Sequence, residues 1–136
     1  MAIVCPDVGE VLLLQYVLNM PPAPVGDKVM VLYKSDTTPA HGDTMGTFTP
    51  ATDNDGPITL ASAQWTVQSV GGTTTGLYSQ QTFTFTTGAV VYGYYVTDIT
   101  GAALLWAERF AGAPFTLPAG GGTIAVSPRL ELAGGG

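Results

Sequence analysis

The chain has 136 residues, the length of one domain, and only 10% of them are charged, against roughly 25% in an average domain. Four cations (Lys28, Lys34, Arg109 and Arg129) against ten acids give a net charge of −6, too little positive charge to neutralise a run of phosphates, so nucleic-acid binding is excluded. The 46% hydrophobic content excludes disorder, and a single cysteine excludes a disulfide framework or a cysteine-based zinc site.

In chain order, the first element is a helix. Asp7 is placed to cap it, Glu10 three residues later completes a capping-box pattern, and Gly9 weakens the first turn. The run Val11-Leu12-Leu13-Leu14-Gln15-Tyr16-Val17-Leu18 is apolar almost all round, so this helix must be buried on several sides. Asn19 is a stop, and Pro21, Pro22 and Pro24 forbid continuation. No basic segment precedes the apolar run, which is also too short to span a bilayer. The expectation is a protein made in a cytoplasm, with Cys5 reduced and no membrane partner.

The remainder reads as strands. Residues 29–33 form a short apolar run, and a long polar connection follows over 35–56. Residues 58–60 and 65–67 alternate, 71–76 is a Gly/Thr turn or mobile loop, and 81–86 has a period of two with Phe83 and Phe85 on one face. Residues 90–96 and 103–110 flank Asp98-Ile99-Thr100-Gly101, a hairpin signal. A short edge strand over 114–117, then strands over 123–127 and 130–132 separated by Pro128, close the chain. Nineteen Thr, 18 Gly and 10 Pro fit short strands and many turns. The prediction is a mainly β fold: one antiparallel β-sandwich or jelly roll of about eight short strands over 1–136, with an N-terminal arm and helix over about 1–19.

Groups able to do chemistry are few. His41, in Pro39-Ala40-His41-Gly42-Asp43, has Ser35 and Asp43 nearby in sequence but no nucleophile elbow, and reads as an exposed loop histidine. A second histidine ligand is absent from the chain. Asp53-Asn54-Asp55-Gly56 begins like a calcium loop and then fails at Pro57 and Gln64, so it reads as a turn. Glu108 beside Arg109 reads as a structural ion pair. No catalytic residue, metal or cofactor is expected. Trp65, Trp106, Tyr92, Tyr94 and Tyr95 could form a sugar-stacking platform, but such residues more often anchor cores and interfaces.

Pro6-Asp7-Val8-Gly9-Glu10 with the leucine-rich helix, Tyr92-Gly93-Tyr94-Tyr95-Val96, the segment from Leu104-Leu105-Trp106 through Phe110, and Ile124-Ala125-Val126-Ser127-Pro128 resemble small β-rich virion proteins of environmental, cyanophage-like tailed bacteriophages. The size and composition suit their capsid decoration (cement) proteins. The resemblance implies a structural role on the capsid surface with the major capsid protein as partner; a tail, baseplate or fibre component, with a carbohydrate-binding function, is the alternative. It supplies no catalytic residue.

A weakly charged surface also favours self-association, with a trimer slightly ahead of a dimer. The interface candidates are Leu12, Leu13, Tyr16 and Val17 on the helix, expected to be largely buried, and Tyr92, Tyr94, Tyr95 and Trp106 on the strands. The 90–96 strand is apolar or uncharged on both faces, and one of those faces is expected to be left for a neighbouring copy.

Overall fold

Alternating apolar and small polar residues build strands throughout the computed structural model, which describes residues 3–18 and 26–133. One helix, α1 (Asp7–Val17), is followed by eleven strands: β1 (Lys28–Tyr33), β2 (Ile58–Leu60), β3 (Thr66–Val70), β4 (Thr73–Leu77), β5 (Gln81–Phe85), β6 (Ala89–Val91), β7 (Gly93–Asp98), β8 (Leu104–Arg109), β9 (Phe115–Leu117), β10 (Gly122–Val126) and β11 (Arg129–Ala133). Every pairing is antiparallel. The four-stranded sheet β2-β1-β7-β8 is joined by the ladders β10-β5, β11-β4-β3 and β6-β9, a mainly β, sandwich-like arrangement. The strand count exceeds the expected eight or so, chiefly because the Gly/Thr stretch over 71–76 is not a loop. Gly71 and Gly72, at φ +60° and +84°, make a two-residue turn, and Thr73–Leu77 is the central strand of its sheet.

The four-stranded sheet is covered on both faces. Met30, Leu32, Tyr94 and Val96 point into a larger core with Phe83, Phe85, Ile124 and Val126 of the β5–β10 ladder. Tyr33 and Tyr95 point the other way, into a smaller cluster closed by Phe48 from the long connection. Tyr33 and Phe48 stack with ring centroids 4.9 Å apart, and Phe48 and Tyr95 at 5.6 Å. The long polar connection therefore acts as a lid on the sheet.

The alternation breaks once, in β8. Val96 pairs with Trp106 but Thr97 with Leu104, so Leu105 is an extra residue, a β-bulge. In consequence Leu105 and Trp106 both enter the larger core, while Leu104 and Ala107 serve the smaller one. The bulge also marks where α1 docks. The Cys5 thiol donates to the Leu105 carbonyl at 3.2 Å, and a Cβ at Gly9 would run into that same carbonyl. Gly9, unfavourable for the helix by propensity, is what permits the close approach. Val4 extends the edge of β8 by exchanging two hydrogen bonds with Ala107, at 3.0 and 2.9 Å.

The helix start differs from expectation. Pro6 is the N-cap, Asp7 is already helical, and no side-chain cap forms. The Asp7 N–H donates instead to the carbonyl of His41 at 2.9 Å, so the long connection satisfies the helix end. Leu18 is the C-cap; Asn19, Pro21, Pro22 and Pro24 lie outside the described residues.

Burial pushes the Cys5 thiol up to about 11, with the nearby Glu10 charge adding to the effect. The folded protein is therefore expected to resist iodoacetamide at neutral pH. Gly9→Ala, by forcing α1 off β8, should speed Cys5 alkylation and lower the melting temperature; unchanged alkylation would show that the helix does not shield the thiol.

The hairpin between β7 and β8 is closed by one carboxylate. Asp98 Oδ1 accepts the Ala102 and Ala103 N–H groups, each at 3.1 Å, and Oδ2 accepts the Thr100 hydroxyl at 2.7 Å. Partial burial pushes this carboxyl up, but the hydrogen bonds to its charged form outweigh that and hold it below the ordinary range. A carboxyl held low in the native state stabilises fully above its unfolded value and loses its effect as pH falls through the native one. Thermal melts below about pH 4 should accordingly show a smaller pH dependence for Asp98→Asn than for the parent.

Candidate functional site

One concavity among the described residues is an apolar groove. It has a volume of about 370 Å³ and lies between α1, through Leu12, Leu13 and Tyr16, and Trp65, Val67 and Leu130. Trp106 and Leu105 form part of its lining, so the bulged segment of β8 also shapes this groove. Trp65 meets Tyr78 and Trp106 edge-on, at 5.1 and 5.9 Å between centroids. The polar side chains at the rim are Lys28 and Ser62; the Lys28 ammonium is committed to the Gly26 carbonyl at 2.6 Å.

Around the groove, apolar side chains face outward. Val11, Leu14, Tyr16 and Leu18 of the helix are exposed, and so are Val67 and Val70 of β3. Between Asp55 and Asp98 the chain carries no charged residue at all, so the sheets built from this stretch present threonines, serines, glutamines and valines to their surroundings.

The interface candidates divide into two groups. On the helix, Leu12 and Leu13 are half-buried and line the groove, whereas Tyr16 is 58% exposed; the Val17 side chain lies outside the described residues. A helix that touches one strand edge can bury one face only, so the expectation of burial on several sides fails. On the strands, Tyr94, Tyr95 and Trp106 are buried within the chain. They are core residues, because the central sheet is covered on both faces and the 90–96 strand leaves no aromatic stripe uncovered. The same burial takes these three out of the sugar-stacking platform, leaving Trp65 and Tyr92 partly exposed. Tyr92 is half-buried beneath the Arg109 guanidinium, 5.1 Å from its ring centroid. The exposed edge at Val67 and Val70 was not anticipated; the signal was the Gly71-Gly72 pair between the β-prone runs TVQSV and TTTGL.

Several of the charged groups have structural partners. Arg109 pairs with Asp36 at 2.8 Å and Arg129 with Glu108 at 3.5 Å, so both Glu108 and Arg109 form ion pairs, though not with each other. Asn54 Oδ1 accepts the Gly56 N–H at 2.7 Å, the behaviour of a turn, while Asp55 Oδ1 accepts the Thr84 N–H at 2.8 Å and ties the turn to β5. Asp43 accepts the Ala40 N–H at 2.7 Å, which turns it toward its own loop. His41 is exposed, and its Nδ1 lies 3.7 Å from Glu10 Oε1. With Asp7 these two form the one set among the described residues that could hold a metal ion, their donor atoms within 4.8 Å of one another and all exposed. No protein-family model matches the chain, and neither does any curated protein.

The two sides of α1 should respond differently to charge. Leu12 packs against the larger core, and Leu12→Asp should destabilise by about 1–3 kcal/mol. Leu14 faces out, and Leu14→Asp should stay within about 0.5 kcal/mol of the parent. Equal denaturation midpoints for the two variants would contradict this docking of the helix.

Proposed function

We propose that the protein is a structural virion component, a decoration protein that packs on the major capsid protein and on copies of itself at the surface of a tailed-phage capsid. The observation that carries the reading is the uncharged stretch between Asp55 and Asp98 together with the exposed apolar side chains of α1 and β3. A surface of this kind is poorly suited to a free monomer and well suited to contact with neighbours. The resemblance to virion proteins and the small, mainly β fold agree with it.

The mechanism is physical. A shell under internal DNA pressure fails at the seams between its subunits, and a small protein that bridges a seam adds buried area there. Each contact can be weak, because the lattice repeats it and makes it multivalent. Acidic net charge suits the outer surface, away from DNA. Quantification of the protein in purified virions tests the reading. Copies on the scale of the major capsid protein are expected; about a dozen or fewer per particle, or labelling confined to a tail or a single vertex, would overturn it.

A further inference from the structure

β3 is the edge strand of the sheet β11-β4-β3, and all five of its residues are exposed. Exposed edges invite pairing with other chains, and proteins ordinarily blunt them with charge, proline or a covering segment. Most of the other edges are treated in these ways; β6 is only three residues long, and β10 has Pro128 two residues beyond its end. β8 is covered by Val4 and α1. β11 carries Arg129 and Glu131 and follows Pro128, β9 lies between Pro114 and Pro118, and β2 has three residues and follows Pro57. β5 meets Asn54 on its free side. β3 has none of these protections: no charge, no flanking proline, a regular register along β4, and side chains of Val67 and Val70 that are 74% and 71% exposed.

The register says what fits it. In a hairpin with a two-residue turn, the residues next to the turn exchange hydrogen bonds, here Val70 with Thr73. Gln68 and Thr66 then also bond toward β4, and Val67 and Ser69 direct their N–H and C=O groups away from the sheet. That spacing is self-complementary. A second β3 running antiparallel about a two-fold axis through Gln68 sets Val67 of one copy against Ser69 of the other, and each N–H meets a C=O.

We infer that β3 is a homodimerisation edge, through which two copies of this chain join their three-stranded sheets into one continuous antiparallel sheet. The charge pattern favours a second copy as occupant. Two chains of net charge −6 repel elsewhere, but this edge lies in the uncharged stretch and can meet itself without opposing like charges. Val67 and Val70 add apolar contact to the backbone bonds. The contact is isologous, so it closes as a dimer and not as the trimer slightly favoured on sequence grounds. This inference stands apart from the capsid reading, since it concerns the purified protein alone.

Cysteine cross-linking tests the register. Gln68 would face its own counterpart in a non-hydrogen-bonded pair, where Cβ atoms approach to ~4.5–5.5 Å, close to what a disulfide needs. Val70 would face Thr66 of the second copy, leaving the two Val70 residues about 13 Å apart along the strands. Under mild oxidation, Gln68→Cys should form the 68–68 disulfide about tenfold or more faster than Val70→Cys forms its own, because the latter pair is beyond disulfide reach. Cys5 is half-buried with its thiol pushed up to about 11 and competes poorly; peptide mapping identifies the linked positions. Sedimentation equilibrium of the unaltered chain should show monomer and dimer in exchange. Equal cross-linking of the two variants, a trimer, or a monomer at every concentration measured would each overturn the inference, and none of these results bears on copy number in a virion.

Discussion

The extra residue at Leu105 is the constraint from which much of the fold follows. Without it, strict alternation along β8 would send Leu105 and Trp106 to opposite sides of the sheet. With it, both enter the larger core, while Leu104 and Ala107 complete the smaller one. The same carbonyl receives the Cys5 thiol and lies against Gly9, so the N-terminal segment and α1 are held at the bulge. Trp106, positioned by the bulge, meets Trp65 edge-on and helps line the groove under the helix. A local irregularity of one residue thus connects the core, the docking of the helix and the shape of the apolar groove beneath it.

The strands with clean alternation were legible from sequence. Phe83 and Phe85 face the core as their period of two requires, and the hairpin at Asp98 forms where Asp and Gly punctuate two apolar runs. What was not legible depended on tertiary context. Apolar residues on both faces of the 90–96 strand are compatible either with a strand buried twice or with one that offers a face to a partner. The deciding element, the lid containing Phe48, is a polar segment whose composition does not announce that it packs on a sheet. Gly9 counted against the helix by propensity, although its missing side chain is what lets the helix dock. The run Val11–Leu18 is apolar almost all round and carried little signal for which side is covered; the structure leaves Leu14 and Tyr16 outside.

The few charges are spent on local geometry. Asp43 and Asp98 accept backbone N–H groups of their own loops, Asp55 accepts one from β5, and Arg109 and Arg129 are paired with Asp36 and Glu108. Carboxylates used this way fix turns, and they leave the strand surfaces between Asp55 and Asp98 to uncharged side chains. The consequence is an asymmetry in how the surface meets water. Loops and the first turn of α1 carry much of the net charge that resists unspecific association, while the β3–β4 hairpin carries none. Backbone groups at an unprotected strand edge recognise another extended strand by direction and register, and apolar side chains beside it reward close approach without selecting a charged ligand. A surface built on these terms selects partners by shape and strand geometry. That is a property of assemblies in which many identical weak contacts are made side by side, and it is why the physical reading of this chain leads to its edges and exposed faces and not to its titratable groups.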